Sequence, residues 1–173
     1  MLEIMVDDHA GWLQNVDWQE LAQRAGTAAL SHSPHASLAN AAMLISVSIA
    51  LSDDAAVRQL NAQYRQKDKA TNVLSFPMVQ PDLLESLANS DDGEVLLGDI
   101  ILARETCARE ASEKQATLEQ HVSHLVIHGM LHLLGYDHIG EAEAEAMEAL
   151  EIKALASIGL PNPYLDHPQQ HRG

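Results

Sequence analysis

The segment His128-Gly129-Met130-Leu131-His132-Leu133-Leu134-Gly135-Tyr136-Asp137-His138 constrains this chain more than any other. Residues four apart share one face of a helix, with Cβ atoms about 5–6 Å from each other. A helix through His128 and His132 therefore stacks two imidazoles. A third imidazole further along the same helix would lie too far up the cylinder to join them, so the chain must turn back after His132. Gly135 supplies the turn, because glycine takes the left-handed conformation that ends helices. His138, three residues on, can then fold under the helix end. Three imidazoles can meet one zinc ion at N–metal distances near 2.0–2.1 Å and leave a fourth position open, as in catalytic rather than closed structural zinc sites. An open position that lowers the pKa of a bound water suits hydrolysis. The spacing predicts one zinc ion per chain, held by His128, His132 and His138 at the end of a late helix.

A histidine alone on an amphipathic helix is more often a hydrogen-bonded core or surface residue, and His121 and His124 are read that way. His124 lies four residues before His128 on the same stripe, which also admits a role as a partner to the site or a wall of its pocket. The same spacing occurs in metzincin proteases, HExxHxxGxxH, where the Glu beside the first ligand is the general base. Here that position is Gly129. Glycine cannot accept a proton, so peptide hydrolysis by that route is disfavoured. Its small size leaves room beside the metal for a bulky group or the backbone of a substrate.

The rest of the chain reads as a small α+β domain. Leu2–Val6 forms a short strand. Asp17 is an N-cap with Glu20 three residues later, followed by Trp18, Leu21, Ala22, Ala25 and Ala29 at helical spacing. From Met43 to Leu51 the period changes to two, with Ile45, Val47, Ile49 and Leu51 on one face and Ser46 and Ser48 on the other. Ser52 or Asp53 caps a helix to about Tyr64. Thr71–Phe76 is a strand stopped by Pro77, which has no N–H for a ladder. Pro81–Glu94, with five acids, is a loop or short mobile helix. Val95–Leu102 is nearly continuous in apolar residues and hence central. Helices follow over Arg104–Glu113, from Thr117 with Gln120 completing a capping box to Leu134, and over Glu141–Ile158 before Gly159. The expected architecture is a four-stranded mixed sheet covered by about five helices. It is one domain over residues 1–160, with a loose tail over 161–173.

Composition narrows the function classes. The 173 residues carry 25 acids against 10 bases, a formal net charge of −15. A broad basic surface for nucleic acid is excluded, so any polyanion must meet a local patch. Arg58, Arg65, Lys67 and Lys69 fall within twelve residues and form the one such stretch. Aromatic residues make up only 3%, so the core is built from Leu, Ile, Val, Ala and Met. A single cysteine, Cys107, fits a reducing compartment. No apolar run reaches the roughly 18 residues needed to span a bilayer, and the opening residues carry acids where a secretory leader would carry bases. A cytoplasmic protein without membrane contact is expected.

The segment HGMLHLLGYDH resembles the signature of the YbeY family of metal-dependent, single-strand-specific endoribonucleases. Leu60–Pro77 (LNAQYRQKDKATNVLSFP) and Leu96–Ala103 (LLGDIILA) are similar to that family's other characteristic stretches, in the same order. The resemblance implies that the three histidines ligate zinc and that Arg65 is the functional arginine of the cleft. It implies activity in 3′-end maturation of small-subunit ribosomal RNA and in ribosome quality control. The partners would be single-stranded RNA and the ribosome or its small subunit, with no DNA expected. The acidic Pro81–Glu94 segment looks long for the family.

Arg65 suits a phosphate, since its planar fork can hold two oxygens as a lysine cannot. Lys67 and Lys69 either guide RNA or are plain solvated loop residues. Asp137 either orients an imidazole or caps the turn after Gly135. Asp99 faces the cleft or pairs with a buried donor, and Tyr136 and Ser75 are possible polar groups of the pocket. Two rival functions remain open: a non-catalytic ribosome-assembly factor stabilised by zinc, and a metzincin-like peptidase with another carboxylate as base.

Overall fold

The computed structural model describes residues 1–12, 15–65, 71–88, 93–136 and 140–164. Its elements are β1 (Leu2–Asp8), α1 (Trp18–His32), β2 (Leu44–Ser52), α2 (Asp54–Arg65), β3 (Val73–Pro77), the one-turn α3 (Leu84–Ala88), β4 (Glu94–Ala103), α4 (Arg104–Glu113), α5 (Leu118–Leu133) and α6 (Glu141–Ser157). The sheet order is β1-β2-β4-β3. β1 and β4 run parallel to β2, and β3 runs antiparallel to β4. This is the expected mixed four-stranded sheet, with five helices of ten residues or more around it.

Local chemistry accounts for most of the boundaries. The Asp17 side chain accepts from the Glu20 N–H at 3.0 Å and opens α1, and Asp53 accepts from Ala56 N at 2.9 Å at the start of α2. Thr117 and Gln120 bond reciprocally, each caring for an N–H that the first turn of α5 leaves without a helical partner. The alternating residues Ile45, Val47, Ile49 and Leu51 are all buried. Pro77 is the last residue of β3, paired with Gly98. The Pro81–Glu94 segment begins as a 3-10 turn and α3 rather than an open loop, anchored by the fully buried Leu84; residues 89–92 lie outside the described part.

Two layers cover the sheet. α1, α5 and α6 pack together on one face, while α2 sits on the other over Leu74, Ala103 and Ile101. α5 is the buried helix, with eleven of its sixteen residues in the core. It comes close to the sheet because two glycines remove side chains from the contact. A Cβ on Gly98 would lie 2.6 Å from the Phe76 carbonyl oxygen and 2.5 Å from Leu133 Cδ2. A Cβ on Gly129 would meet three Ile100 atoms at 3.0–3.3 Å. This corrects the reading of Gly129: it does not leave room for substrate beside a metal, because β4 fills that space. The sequence could not show this, since it depends on which face of α5 meets the sheet.

Candidate metal centre

α5 ends in a Schellman turn. The Tyr136 N–H reaches back to the Leu131 carbonyl and the Gly135 N–H to that of His132, each at 3.0 Å. Gly135 has φ +105°, the left-handed region in which a side chain is strained. The turn has a second product. It lays the Tyr136 carbonyl 2.7 Å from His132 Nδ1.

The neighbouring histidine is anchored in the same sense by a different element. His128 Nδ1 lies 2.7 Å from Oε2 of Glu151 in α6. A carbonyl and a carboxylate can only accept, so both rings must donate from Nδ1. Both Nε2 atoms are then left with lone pairs, and they face each other 3.1 Å apart. Two acceptors at that distance are reconciled by a cation between them. The pair therefore fits a divalent ion of the imidazole-binding class. Among the described residues, no group of three His, Cys, Asp or Glu side chains is gathered on one point. His138, the third expected ligand, lies outside the described residues, as do Asp137, Lys67, Lys69 and the side chain of Arg65. Of Arg65, the structure places the backbone, as the last residue of α2.

Glu151 is a residue of the site that the sequence did not single out. It is fully buried. Its Oε1 accepts from His124 Nε2 at 2.8 Å and from the Tyr164 hydroxyl, while Oε2 accepts from His128. Burial alone would push this carboxyl up; the bonds from His124, His128 and Tyr164 outweigh it and hold it at about 2. His124 is thus a partner of the site, one of the roles its position admitted. His121 keeps the plain reading, bonded to Glu110 at 2.9 Å. Tyr164, in the segment expected to be loose, is tied to the core through Glu151.

The remaining candidates divide by face. Ser75 pairs with Ile100, which meets α5. Asp99, its neighbour on β4, alternates to the other face. It lines a groove of about 500 Å³ with Ser48, Tyr64, Phe76 and Met78, away from the histidines. Cys107 is buried, and burial followed by the nearby Glu110 charge pushes its thiol up to about 12, which removes it as a thiolate ligand or nucleophile.

A pH dependence follows for protein stripped of metal. Burial, working against the Glu151 hydrogen bond, holds His124 below its ordinary value of 6.5, and Glu151 lies below its ordinary 4.5. Both values are depressed on folding, so each group contributes stability that is complete above its unfolded pKa and is lost as pH falls. The His124 share declines from about pH 6.5 downward and the Glu151 share between 4.5 and about 2. Thermal melts of chelator-treated protein should show Tm dropping steadily from neutral pH into this range. A Tm independent of pH over that interval would contradict the described network.

An α+β sheet domain with paired imidazoles at the end of its buried helix is the class that fold and site define. The family model for Endoribonuclease YbeY matches residues 7–159. A protein named Endoribonuclease YbeY from Sphingopyxis alaskensis is 58% identical over 96% of this chain and 99% of its own length. One of the same name from Rhizorhabdus wittichii is 59% identical over 95% and 97%, and one from Zymomonas mobilis 45% over 100% and 98%. A solution structure from Thermotoga maritima shares the fold, with a TM-score of 0.53 at 20% identity over 99% of this chain and all of that one. The chain belongs to the YbeY family of endoribonucleases, hydrolases that act on the phosphodiester bonds of RNA. Among the described residues, no helix is long and apolar enough to cross a membrane.

Proposed function

We propose that this chain is a zinc-dependent endoribonuclease specific for single-stranded RNA, acting in the cytoplasm in 3′-end maturation of small-subunit ribosomal RNA and in ribosome quality control. One observation carries the metal dependence. Two imidazoles on one helix are each anchored through Nδ1, so that their Nε2 lone pairs meet 3.1 Å apart. His128 and His132 would hold the ion together with His138. A bound zinc ion supplies Lewis-acid polarisation of a phosphoryl oxygen or a water of lowered pKa. Arg65 grips two phosphate oxygens with its fork and stabilises charge developing on phosphorus. Its place supports this role, because it ends α2 within the one cationic stretch in a chain of net charge −15. With so acidic a surface, RNA is admitted locally, and the small ribosomal subunit is the partner that presents it. Peptidase chemistry has no support at Gly129, where the packing against Ile100 leaves no place for a glutamate base.

The test is cleavage of single-stranded and duplex RNA with and without chelator. The expected result is cleavage of the single strand alone, abolished by chelation and restored by zinc. Cleavage that survives complete removal of metal would overturn the reading. In the same assay Arg65→Ala should keep its zinc and lose roughly a hundred- to a thousand-fold in rate, the scale of one lost contact to a charge-developing transition state. A rate equal to wild type would remove Arg65 from the mechanism.

A further inference from the structure

One buried carboxylate is engaged from three sides at once. Glu151 has no solvent exposure, and it receives His124, His128 and Tyr164. An unpaired carboxylate in such a place would be costly, so the three donors are what allow it to stay ionised there. All three leave one arrangement of the carboxylate: Oε1 toward His124 and Tyr164, Oε2 toward His128. His124 Nδ1 is buried and has no partner, so that ring spends its only bonding edge on this network.

We propose that Glu151 is a positioning residue for the metal centre: it fixes His128 as the tautomer that donates from Nδ1 and offers Nε2 to the ion, and Tyr164 and His124 hold the carboxylate in the one orientation that does so. The inference deepens the zinc reading and rests on it. The geometry gives Glu151 a second effect, a negative charge placed directly behind one ligand of a divalent cation, which raises the basicity of that imidazole. It also makes Tyr164, thirty-six positions after His128, part of the same device. The backbone carbonyl of Tyr136 does for His132 what Glu151 does for His128, but a carbonyl bears no full charge and cannot be removed by mutation.

Glutamine in place of Glu151 keeps the shape and reverses half the chemistry. Its single oxygen is best placed where His124 and Tyr164 both donate, which turns the amide N–H₂ toward His128, and that ring must then accept at Nδ1 and carry its proton on Nε2. A ring in that state is no ligand. The experiment has a metal-free arm and a zinc arm. Nitrogen chemical shifts of the His128 ring in chelator-treated protein at mildly alkaline pH report the tautomer, and zinc affinity is read by competition with a chromogenic chelator. Wild type should show the proton on Nδ1. Glu151→Gln should shift it toward Nε2 and weaken zinc about 10- to 100-fold, the usual scale for losing a partner that orients a metal ligand. Tyr164→Phe should weaken zinc to a smaller extent, and Glu110→Gln, which removes the charge from the similar but remote contact to His121, should leave zinc affinity unchanged.

A proton on Nε2 of His128 in the metal-free wild type would overturn the proposal, whether or not Glu151→Gln folds. Wild-type zinc affinity in a folded Glu151→Gln protein would overturn it as well. Failure of the wild type to bind zinc at all is a different result, and it would strike the proposed function instead.

Discussion

His132→Ala should purify with almost no zinc, where the wild type should carry about one ion per chain, and should cleave single-stranded RNA at least a hundred-fold more slowly. His132 faces His128 across 3.1 Å and is held there by the Tyr136 carbonyl. Taking it away removes one of the proposed ligands and leaves that carbonyl without its donor, a cost of about 1–3 kcal/mol. The metal is assigned several kcal/mol of transition-state charge stabilisation, and each 1.36 kcal/mol is tenfold in rate. Elemental analysis and a nuclease assay check both parts, with circular dichroism to confirm the fold. Zinc content near one ion per chain in this variant would contradict the ligand assignment.

Gly129→Glu, which would write the metzincin base into this chain, should strongly destabilise it rather than create a peptidase. Gly129 is buried, and any Cβ there meets Ile100 at 3.0–3.3 Å. Alanine forces Ile100 to give by a few tenths of an ångström and costs about 1 kcal/mol. Glutamate adds a carboxylate with no partner between helix and sheet, for a total of about 4 kcal/mol or more. That is a large share of the 5–15 kcal/mol that stabilises ordinary domains, and corresponds to a Tm lowered by roughly 10 °C or beyond. A soluble Gly129→Glu protein melting within about 2 °C of wild type would show that the α5–β4 contact is not as described.

Much of this architecture could be read from the chain because it depends on near neighbours. Asp17 with Glu20 and Thr117 with Gln120 mark helix starts through bonds across three residues. The period-two run Ile45–Leu51 marks a strand with one buried face, and Gly135 marks the end of α5 by the φ that it alone takes easily. The first two histidines of the site were legible for the same reason, since i and i+4 on a helix are neighbours before any tertiary contact forms. What escaped depends on contacts between distant elements. Gly129 looked like an opening and is a contact surface, which only the placement of α5 on β4 decides. Glu151 did leave a trace. It lies four residues after Met147 and four before Leu155, on the stripe that faces inward. A glutamate on a buried stripe must have partners, but Glu141, Glu143, Glu145 and Glu148 around it made it look like one more solvated acid. Tyr164 left no trace, because nothing in PNPYLD marks a bond to a helix residue thirteen positions upstream.

The most direct measurement is diffraction at the zinc absorption edge from crystals of protein purified without chelator. One anomalous peak is expected, bonded to Nε2 of His128 and Nε2 of His132, about 2.0–2.1 Å from each, with His138 as the third nitrogen. Rings turned away from each other with no density between them, or a peak bonded elsewhere in the chain, would contradict it.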